Sequence, residues 1–332
     1  MEMRMFGRTG IRLSVLGFGC GAVGGLMVRG DPPDQERTIA RAIDAGVNYF
    51  DTAVQYGNGE SEKNLGRILQ KLKPANAVVG TKVRLPSASF GRIADAVAKS
   101  LDQSLTRLRR DRVDIFHLHN AITQAGGGEA LSVQQVLVEV VPAFERLRQQ
   151  GKTRFLGLTA VGETEALHQV IDAGAFDSAQ VVYNILNPSA ASELPPNYPA
   201  QDYGRLFDHT KKAGVGVIGI RVLAGGALSG STERHAIASP PPEPIGSAMN
   251  YEADVERARR LMPLVKEEFA ASLTEAATRF AISHAAIGTI LVGIATPQQF
   301  DEALAAVQKG PLPAAALELH AKLVQNFSGE SR

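Results

Sequence analysis

The feature of this sequence that most constrains its fold is a regular alternation of short apolar runs with longer amphipathic stretches. Eight apolar runs have the length and β-branched content of buried strands, at residues 15–19, 47–51, 78–82, 113–119, 155–159, 179–182, 215–220 and 289–293. Stretches of helical spacing follow them, at residues 34–45, 60–72, 90–108, 133–150, 163–173, 202–213, 273–284 and 297–308. A strand-then-helix unit repeated eight times predicts a parallel sheet that closes into a (β/α)8 TIM barrel.

Glycine placement supports this reading. A glycine stands just past four of the predicted helices and just before the next apolar run, as expected at a helix C-terminus: Gly46, Gly151, Gly174 and Gly214. Ahead of the first apolar run, residues 3–6 and 11–14 flank Thr9 and Gly10 and predict an N-terminal hairpin that closes the bottom of the barrel. We therefore predict a single domain over residues 1–332.

Two proline-rich segments interrupt the alternation, at residues 187–200 and 223–250. Further on, residues 251–268 have helical spacing. Both proline-rich segments follow the carboxyl end of a predicted strand, which is the end where barrel enzymes carry their active sites. We expect them to be long βα loops that shape a pocket.

Charge and cysteine content narrow the class of protein. The 35 Lys and Arg residues nearly cancel the 34 Asp and Glu residues, so neither a nucleic acid nor a membrane surface is an expected partner. The single cysteine, Cys20, allows no intrachain disulfide and no multi-cysteine metal site. Residues 1–10 carry charges and no apolar core, unlike a signal peptide. These features predict a cytoplasmic protein, and they carry no signal of its oligomeric state.

Ionisable side chains stand at the ends of three consecutive predicted strands. Asp51 ends the second strand, Lys82 the third and His119 the fourth. Alternation along each strand directs these three side chains into the barrel, at its upper mouth. Tyr56 lies five residues beyond Asp51 and is close enough in sequence to fold back over the same mouth.

This set of residues suits the reduction of a carbonyl group. Hydride transfer to a carbonyl carbon leaves an alkoxide unless a proton arrives with it. A tyrosine hydroxyl has an ordinary pKa near 10, and an adjacent ammonium group lowers that pKa. We expect Tyr56 to be the proton donor, Lys82 to tune it, Asp51 to hold Lys82, and His119 to orient the carbonyl oxygen. No metal is needed.

Several motifs resemble the aldo-keto reductase family. They are Tyr49-Phe50-Asp51-Thr52-Ala53, Tyr56-Gly57, Glu60-Ser61-Glu62, Gly80-Thr81-Lys82, Asp114-Ile115-Phe116-His117-Leu118-His119 and Gln180-Val181-Val182-Tyr183-Asn184. The resemblance extends over nearly the whole chain. It implies the catalytic tetrad Asp51, Tyr56, Lys82 and His119, reversible oxidoreduction of an aldehyde or ketone, and NADP(H) lying across the top of the barrel.

The resemblance also implies cofactor contacts. The expected cofactor-binding residues are Gly19, Cys20, Thr159, Gln180, Ile220, Arg221, Leu223, Gly225, Gly293, Thr296, Gln299 and Glu302. Thr159 and Ala160 replace the family's Ser-Asn pair, so Gln180 is expected to take a larger part in holding the carboxamide. Ile220 replaces an aromatic residue that stacks on the nicotinamide, and Arg221 is expected to reach the pyrophosphate or a polar substrate.

The last cofactor segment bears on the choice between NADPH and NADH. No Lys or Arg occurs between Gly293 and Glu302, where the family often supplies a basic residue to the 2′-phosphate. Arg279 and Lys309 are the candidates to compensate. NAD(H) therefore remains an alternative to NADP(H).

The small-molecule carbonyl substrate is expected to contact Val54, Arg84, Phe90 and Asn120. Gly19-Cys20-Gly21-Ala22-Val23-Gly24 matches a dinucleotide-binding G-x-G-x-x-G, but no clear helix follows, so we interpret it as the first βα loop near the nicotinamide.

Two rival functions stay open. His117 and His119 share a strand face, which favours a metal-dependent barrel hydrolase, although such hydrolases carry this pair on the first strand. The second rival is a non-catalytic barrel that binds the cofactor as a regulatory or scaffold protein.

Overall fold

The computed structural model describes residues 1–327, and residues 328–332 of the predicted domain lie outside the described residues. The strands are β1 (Met3–Met5), β2 (Arg12–Ser14), β3 (Leu16–Gly19), β4 (Tyr49–Asp51), β5 (Val78–Val83), β6 (Val113–Leu118), β7 (Ile122–Thr123), β8 (Leu131–Ser132), β9 (Thr153–Ala160), β10 (Ser178–Val182), β11 (Gly216–Ile220) and β12 (Ile287–Gly293). Eight of them form a closed parallel barrel in the order β3-β4-β5-β6-β9-β10-β11-β12, and β12 pairs with β3. The predicted (β/α)8 fold is confirmed.

Helices lie between the strands and cover the outside of the barrel. They are α1 (Leu26–Arg29), α2 (Pro32–Asp44), α3 (Glu60–Leu72), α4 (Ile93–Leu108), α5 (Val133–Gln135), α6 (Val141–Gln149), α7 (Thr164–Asp172), α8 (Leu206–Ala213), α9 (Tyr251–Arg259), α10 (Pro263–Lys266), α11 (Leu273–Ile282), α12 (Pro297–Gln308) and α13 (Ala314–Gln325). Their apolar faces and the outward faces of the strands form one large core.

The N-terminal hairpin closes the bottom of the barrel. Strands β1 and β2 pair antiparallel, with Met3 opposite Ser14. The fully buried Phe6 belongs to the interior core of the barrel together with Tyr49 and Ile115. A Cβ at Gly216 would lie 2.8 Å from the Phe6 ring, so the closing side chain depends on a glycine in β11.

Proline divides two of the predicted helices. The stretch 133–150 contains a single π-helical turn, Val136–Val140, before α6 begins with Pro142 in its first turn. The stretch 251–268 is two helices, because Pro263 starts α10. A proline has no N–H for the preceding turn, so the helix widens or restarts there.

The G-x-G-x-x-G match is not a dinucleotide fingerprint in this structure. Only the four-residue helix α1 follows it. Gly24 is a packing residue, because a Cβ there would lie 2.1 Å from the backbone nitrogen of Ile294. The strand–turn–helix geometry that such a fingerprint needs is absent from this part of the described chain.

The long segment after β11 lies at the carboxyl ends of the strands. It contains two short 3₁₀ turns, Ala224–Ser229 and Ala236–Ala238, and otherwise irregular backbone. None of the helices in residues 1–327 has the length and apolar composition needed to span a bilayer.

Candidate active site

Asp51 and Lys82 form a buried ion pair at the upper mouth of the barrel. They lie at the ends of the adjacent strands β4 and β5, where Asp51 is opposite Gly80 in the register. Lys82 Nζ donates to Asp51 Oδ1, and both side chains are almost completely buried. Burying two charges is costly unless each is paired and hydrogen-bonded, which favours retention of such a pair for function as well as packing.

Lys82 has a partner for each of its three donor hydrogens. Besides Asp51, Nζ donates to the backbone oxygen of Thr52 at 2.8 Å and to the hydroxyl oxygen of Tyr56 at 3.2 Å. Nζ also lies 4.8 Å from the centroid of the Tyr56 ring. The ammonium group thus connects the carboxylate below it to the phenol above it.

The pKa of Tyr56 departs from the sequence-based expectation. Burial raises the pKa of Tyr56 above its ordinary value, and this outweighs the lowering by Lys82. Burial also opposes charge on Lys82, yet Asp51 and Tyr56 raise the pKa of Lys82 above its ordinary value. Tyr56 is therefore a protonated phenol, and Lys82 beside it is a stable ammonium group. The sequence alone did not show how completely both side chains are buried, and this burial is what opposes ionisation of the phenol.

His119 faces Tyr56 across the mouth. It follows β6 directly, and its ring lies edge-on to the Tyr56 ring with centroids 6.1 Å apart. Burial, with smaller contributions from Lys82 and Arg84, lowers the pKa of His119 to about 3. The imidazole is therefore neutral near pH 7, with one ring nitrogen able to donate a hydrogen bond and the other able to accept one.

His117 lies one layer lower, inside the barrel. It is fully buried, and its Nε2 contacts Ser178 Oγ of β10 at 3.2 Å. A Cβ at Gly157 would lie 2.3 Å from its ring, so the neighbouring strand β9 makes room for it. Within residues 1–327 no group of three or more His, Cys, Asp or Glu side chains is arranged to hold a metal ion.

A cavity of about 920 Å³ opens above the tetrad and extends towards α11 and α12. It reaches three tetrad members, Asp51, Tyr56 and His119, while Lys82 lies buried behind them. Most of the predicted cofactor and substrate residues line it: Gly19, Arg84, Thr159, Gln180, Ile220, Arg221, Leu223, Gly225, Gly293, Gln299 and Glu302.

Three residues predicted to contact ligands have other partners in the structure. Cys20 is completely buried in the main core. Thr296 caps α12, because its side chain accepts from the backbone nitrogen of Gln299. Asn120 is buried and bonds the backbone of Leu85 in both directions, at 2.8 and 2.7 Å, as well as Glu129 O. The polar groups of Asn120 and Thr296 thus bond neighbouring backbone in this structure, and the sequence alone did not indicate these bonds.

Two further substrate predictions also fall outside the cavity lining. Phe90 packs against the main core from the turn before α4. Val54 is half-buried in the loop after β4. The cavity is instead lined by other residues that the sequence did not single out, including Ala121, Val161 and Ile245.

Gln180 and Thr159 form a polar corner between the tetrad and the cavity. Gln180 Nε2 donates to Asp51 Oδ2 at 2.6 Å, and Thr159 Oγ1 donates to Gln180 Oε1 at 3.4 Å. Part of the Gln180 amide is thus committed to Asp51. One amide hydrogen and lone pairs on both side chains remain for a ligand.

Arg221, the residue directly after β11, has an unusual backbone conformation. Arg221 has φ +57°, a left-handed conformation that is unfavourable for a residue with a side chain. Asn184 Nδ2 holds its carbonyl oxygen at 2.9 Å, and Arg221 Nη1 donates to Glu243 O at 3.0 Å. Such a conformation persists only where the surrounding structure holds it, as the bonds to Asn184 and Glu243 do here.

Arg234 is the main residue that sequence analysis missed. Its guanidinium group donates to Gly225 O at 2.6 Å, Ala238 O at 2.9 Å and Val23 O at 3.3 Å, and it contacts Tyr251 Oη at 3.1 Å. It thereby ties the segment after β11 to the first βα loop along one wall of the cavity. The only available signal was an arginine within a proline-rich segment, which does not identify its partners.

The cavity fits an extended dinucleotide by several observations. Its volume is at the upper end of the range for small-molecule sites. Gln180 and Thr159 provide amide and hydroxyl groups next to Asp51, and Arg221 adds a positive charge to the lining. The N-terminus of α12 carries positive helix-dipole charge, and Gln299 and Glu302 of that helix supply hydrogen-bonding groups.

The fold and this arrangement of donors define a barrel oxidoreductase. The Aldo/keto reductase family profile matches residues 15–324, so the chain belongs to that family. Its members are NAD(P)-dependent oxidoreductases that act on small carbonyl compounds and alcohols, and the expected enzyme class is confirmed.

Individual relatives agree with this assignment. The chain is 30% identical to L-galactose dehydrogenase of Arabidopsis thaliana over 315 residues, covering 92% of this chain and 88% of that protein. It is 26% identical to pyridoxal 4-dehydrogenase of Microbacterium luteolum over 344 residues, covering 90% of each. The solved holo form of aldo-keto reductase AKR11C1 from Bacillus halodurans superposes with a TM-score of 0.70, at 22% identity, over 100% of this chain and 98% of that chain.

Proposed function

We propose that this protein reduces a small aldehyde or ketone with NAD(P)H, reversibly, and that Asp51, Tyr56, Lys82 and His119 carry the proton chemistry. The observation that carries this proposal is the position of Lys82 Nζ, which bonds buried Asp51 on one side and lies 3.2 Å from Tyr56 Oη on the other. Tyr56 in turn faces the cavity.

In this mechanism Tyr56 is the general acid. A reduced nicotinamide held in the cavity would supply the hydride for the carbonyl carbon. Tyr56 Oη donates its proton to the carbonyl oxygen as negative charge develops there, and the Lys82 ammonium group stabilises the phenolate that forms. Asp51 keeps Lys82 charged and in place. In the oxidation direction the same phenolate accepts the proton of the alcohol.

His119 orients the substrate in this scheme. Its imidazole is neutral, because burial lowers its pKa to about 3, so it can donate an N–H hydrogen bond to the carbonyl oxygen without competing as an acid. A neutral donor beside Tyr56 places the oxygen within reach of both groups. Arg84 at the rim is available to a polar part of the substrate.

The proposed cofactor contacts use those expected residues that line the cavity. We assign the carboxamide to Thr159 and Gln180, the nicotinamide surroundings to Gly19 and Ile220, and the pyrophosphate to Arg221 and the backbone of the following turn. We assign the adenosine end to Gly293, Gln299 and Glu302, which also line the cavity. We further propose one domain, a cytoplasmic location and no nucleic-acid partner.

The test is turnover together with cofactor binding. Quenching or enhancement of NADH and NADPH fluorescence measures binding, and a panel of carbonyl compounds and alcohols that includes pyridoxal and L-galactose measures activity, because two relatives are named for related reactions. Tyr56→Phe should bind the cofactor normally and lose at least about a hundredfold in kcat. A Tyr56→Phe variant with near-normal turnover would overturn the assignment of the proton donor.

The rival reading is a barrel that binds the cofactor without catalysis. It would show cofactor binding with no turnover on the whole panel. The buried ion pair argues for catalysis, since a scaffold gains no binding surface from two charges hidden behind the cavity.

A further inference from the structure

Tyr49 contacts the tetrad from inside the barrel, through Asp51. It has no role in the proton transfer proposed for Tyr56. It precedes Asp51 by two residues on β4, so both side chains point into the barrel. The Tyr49 side chain is fully buried, and its Oη donates a hydrogen bond of 2.9 Å to Asp51 Oδ2. Burial and the neighbouring Asp51 raise the pKa of Tyr49 well above its ordinary value, so the hydroxyl remains a donor throughout the neutral and moderately alkaline range.

The two oxygens of Asp51 have different partners. Oδ1 accepts from Lys82, whereas Oδ2 accepts from Tyr49 below and from Gln180 on β10 at 2.6 Å. The terminal torsion of an aspartate is soft, so a carboxylate with one donor can rotate. Two donors on Oδ2, from different strands, fix the carboxylate plane and leave Oδ1 facing Lys82.

The neighbouring strands make space for the Tyr49 hydroxyl. A Cβ at Gly80 of β5 would lie 2.5 Å from Tyr49 Oη, and a Cβ at Gly17 of β3 would lie 3.0 Å from its Cδ1. Neither glycine has a positive φ angle, so backbone conformation does not require a glycine at these positions. The requirement comes from the Tyr49 ring, which leaves no room for a side chain there. The tightest of these contacts involves the phenolic oxygen, the atom that a phenylalanine would lack.

We propose that Tyr49 is a positioning residue of the reaction, which holds the Asp51 carboxylate so that Lys82 stays against the Tyr56 hydroxyl. This inference rests on the proposed function. Tyr49 does not border the cavity in the described structure, so it acts through Asp51 and touches neither substrate nor cofactor.

Tyr49→Phe tests the proposal, with Tyr198→Phe as its matched control. Tyr198 Oη donates to Leu186 O at 2.7 Å, so the control also removes one tyrosine hydroxyl that bonds within the protein. We expect Tyr49→Phe to lower kcat by about tenfold, which corresponds to loss of one hydrogen bond to a charged group. The KM for the carbonyl and the Kd for the cofactor should stay within about twofold, and Tyr198→Phe should keep the wild-type kcat.

The pH profile separates positioning from structural support. Asp51 is one of the groups that raise the pKa values of both Lys82 and Tyr56. A loosened Asp51 therefore lets both pKa values fall, and the alkaline limit of kcat for reduction, at which Tyr56 loses its proton, moves to lower pH. The other titratable groups near Asp51 do not add an ionisation of their own to the pH profile of kcat. Burial raises the pKa of Cys20 and lowers those of His117 and His119, so these three stay uncharged through neutral pH.

An Asp51→Asn background shows whether Tyr49 acts through Asp51. Adding Tyr49→Phe to Asp51→Asn should lower kcat by less than about twofold, because the group it positions has already lost its charge. Tyr49→His, which keeps a ring N–H donor, should recover part of the lost turnover, and it serves as the second variant if Tyr49→Phe does not fold.

A Tyr49→Phe enzyme with wild-type kcat and an unmoved alkaline limit would overturn the inference, and so would an equal tenfold loss in both backgrounds. Absence of turnover in the wild-type protein would instead overturn the proposed function, so the two failures are distinguishable.

Discussion

Lys82 Nζ lies 3.2 Å from Tyr56 Oη although 26 residues separate them along the chain. The barrel creates this contact, because β5 directs Lys82 inward at its carboxyl end while the loop after β4 returns Tyr56 over the same opening.

Lys82→Met removes one half of the buried ion pair. The Asp51 carboxylate is then left in a dry site without its cationic partner, at a cost of about 3–5 kcal/mol in the free energy of unfolding. Adding Asp51→Asn should recover part of that stability while turnover stays lost. Urea unfolding measured alongside kcat checks both outcomes, and a double variant no more stable than Lys82→Met would contradict the view that the unpaired charge is the cause.

The pH dependence of reduction follows from two pKa shifts. Because burial lowers the pKa of His119 to about 3, protonation of His119 should cause no loss of rate between pH 5 and pH 8. Because the pKa of Tyr56 is raised, its acid form persists through neutral pH, and the reduction rate should fall only on the alkaline side. Oxidation needs the phenolate and should accelerate with rising pH. Initial rates in both directions provide the check, and an acid limb near pH 6.5 that His119→Gln abolishes would refute it.

NADH should bind at least as tightly as NADPH. Helices α11 and α12 line the cavity with Glu275, Glu302 and hydroxyl or amide side chains, and none of the lining residues on these two helices is Lys or Arg. The two basic candidates for a 2′-phosphate partner, Arg279 and Lys309, both bond Glu275. Arg279 also donates to the backbone oxygens of residues 269, 310 and 311.

A 2′-phosphate would therefore lack a charge-assisted partner. Glu302→Lys should tighten NADPH binding by about tenfold and leave NADH binding nearly unchanged. Fluorescence titration of both cofactors measures the two binding constants. A wild-type preference for NADPH of more than about tenfold would show that Glu275 and Glu302 do not lie next to the 2′ position of the ribose.

Arg234 should control how fast the cofactor leaves. Arg234→Gln removes the bond to Val23 O, which ties the segment after β11 to the first βα loop, and the bond to Gly225 O within that segment, so the wall of the cavity opens more readily. We expect cofactor dissociation to accelerate by about tenfold or more in stopped-flow fluorescence, since several charge-assisted bonds are lost. Arg12→Gln is the control, because Arg12 donates to Met3 O in the hairpin at the opposite end of the barrel. Equal dissociation rates in wild type and Arg234→Gln would exclude this role.

The sequence by itself determined the eightfold alternation, the inward direction of Asp51, Lys82 and His119, and the family. These properties depend on the period of apolar residues and on the order of short motifs, both of which are local in the chain. The sequence also predicted that the proline-rich segment over residues 223–250 lies at the carboxyl ends of the strands. That placement depends only on the direction of the strand that precedes the segment.

Only the tertiary structure decided which polar side chains face the cavity and which ones serve the protein itself. Asn120 and Thr296 are polar residues at the correct end of the barrel, yet their side chains bond neighbouring backbone. The same limit applies to the net pKa of Tyr56 and to the partners of Tyr49 and Arg234. Burial and contacts between distant segments set these properties, and both arise only when the strands close and the loops pack against one another.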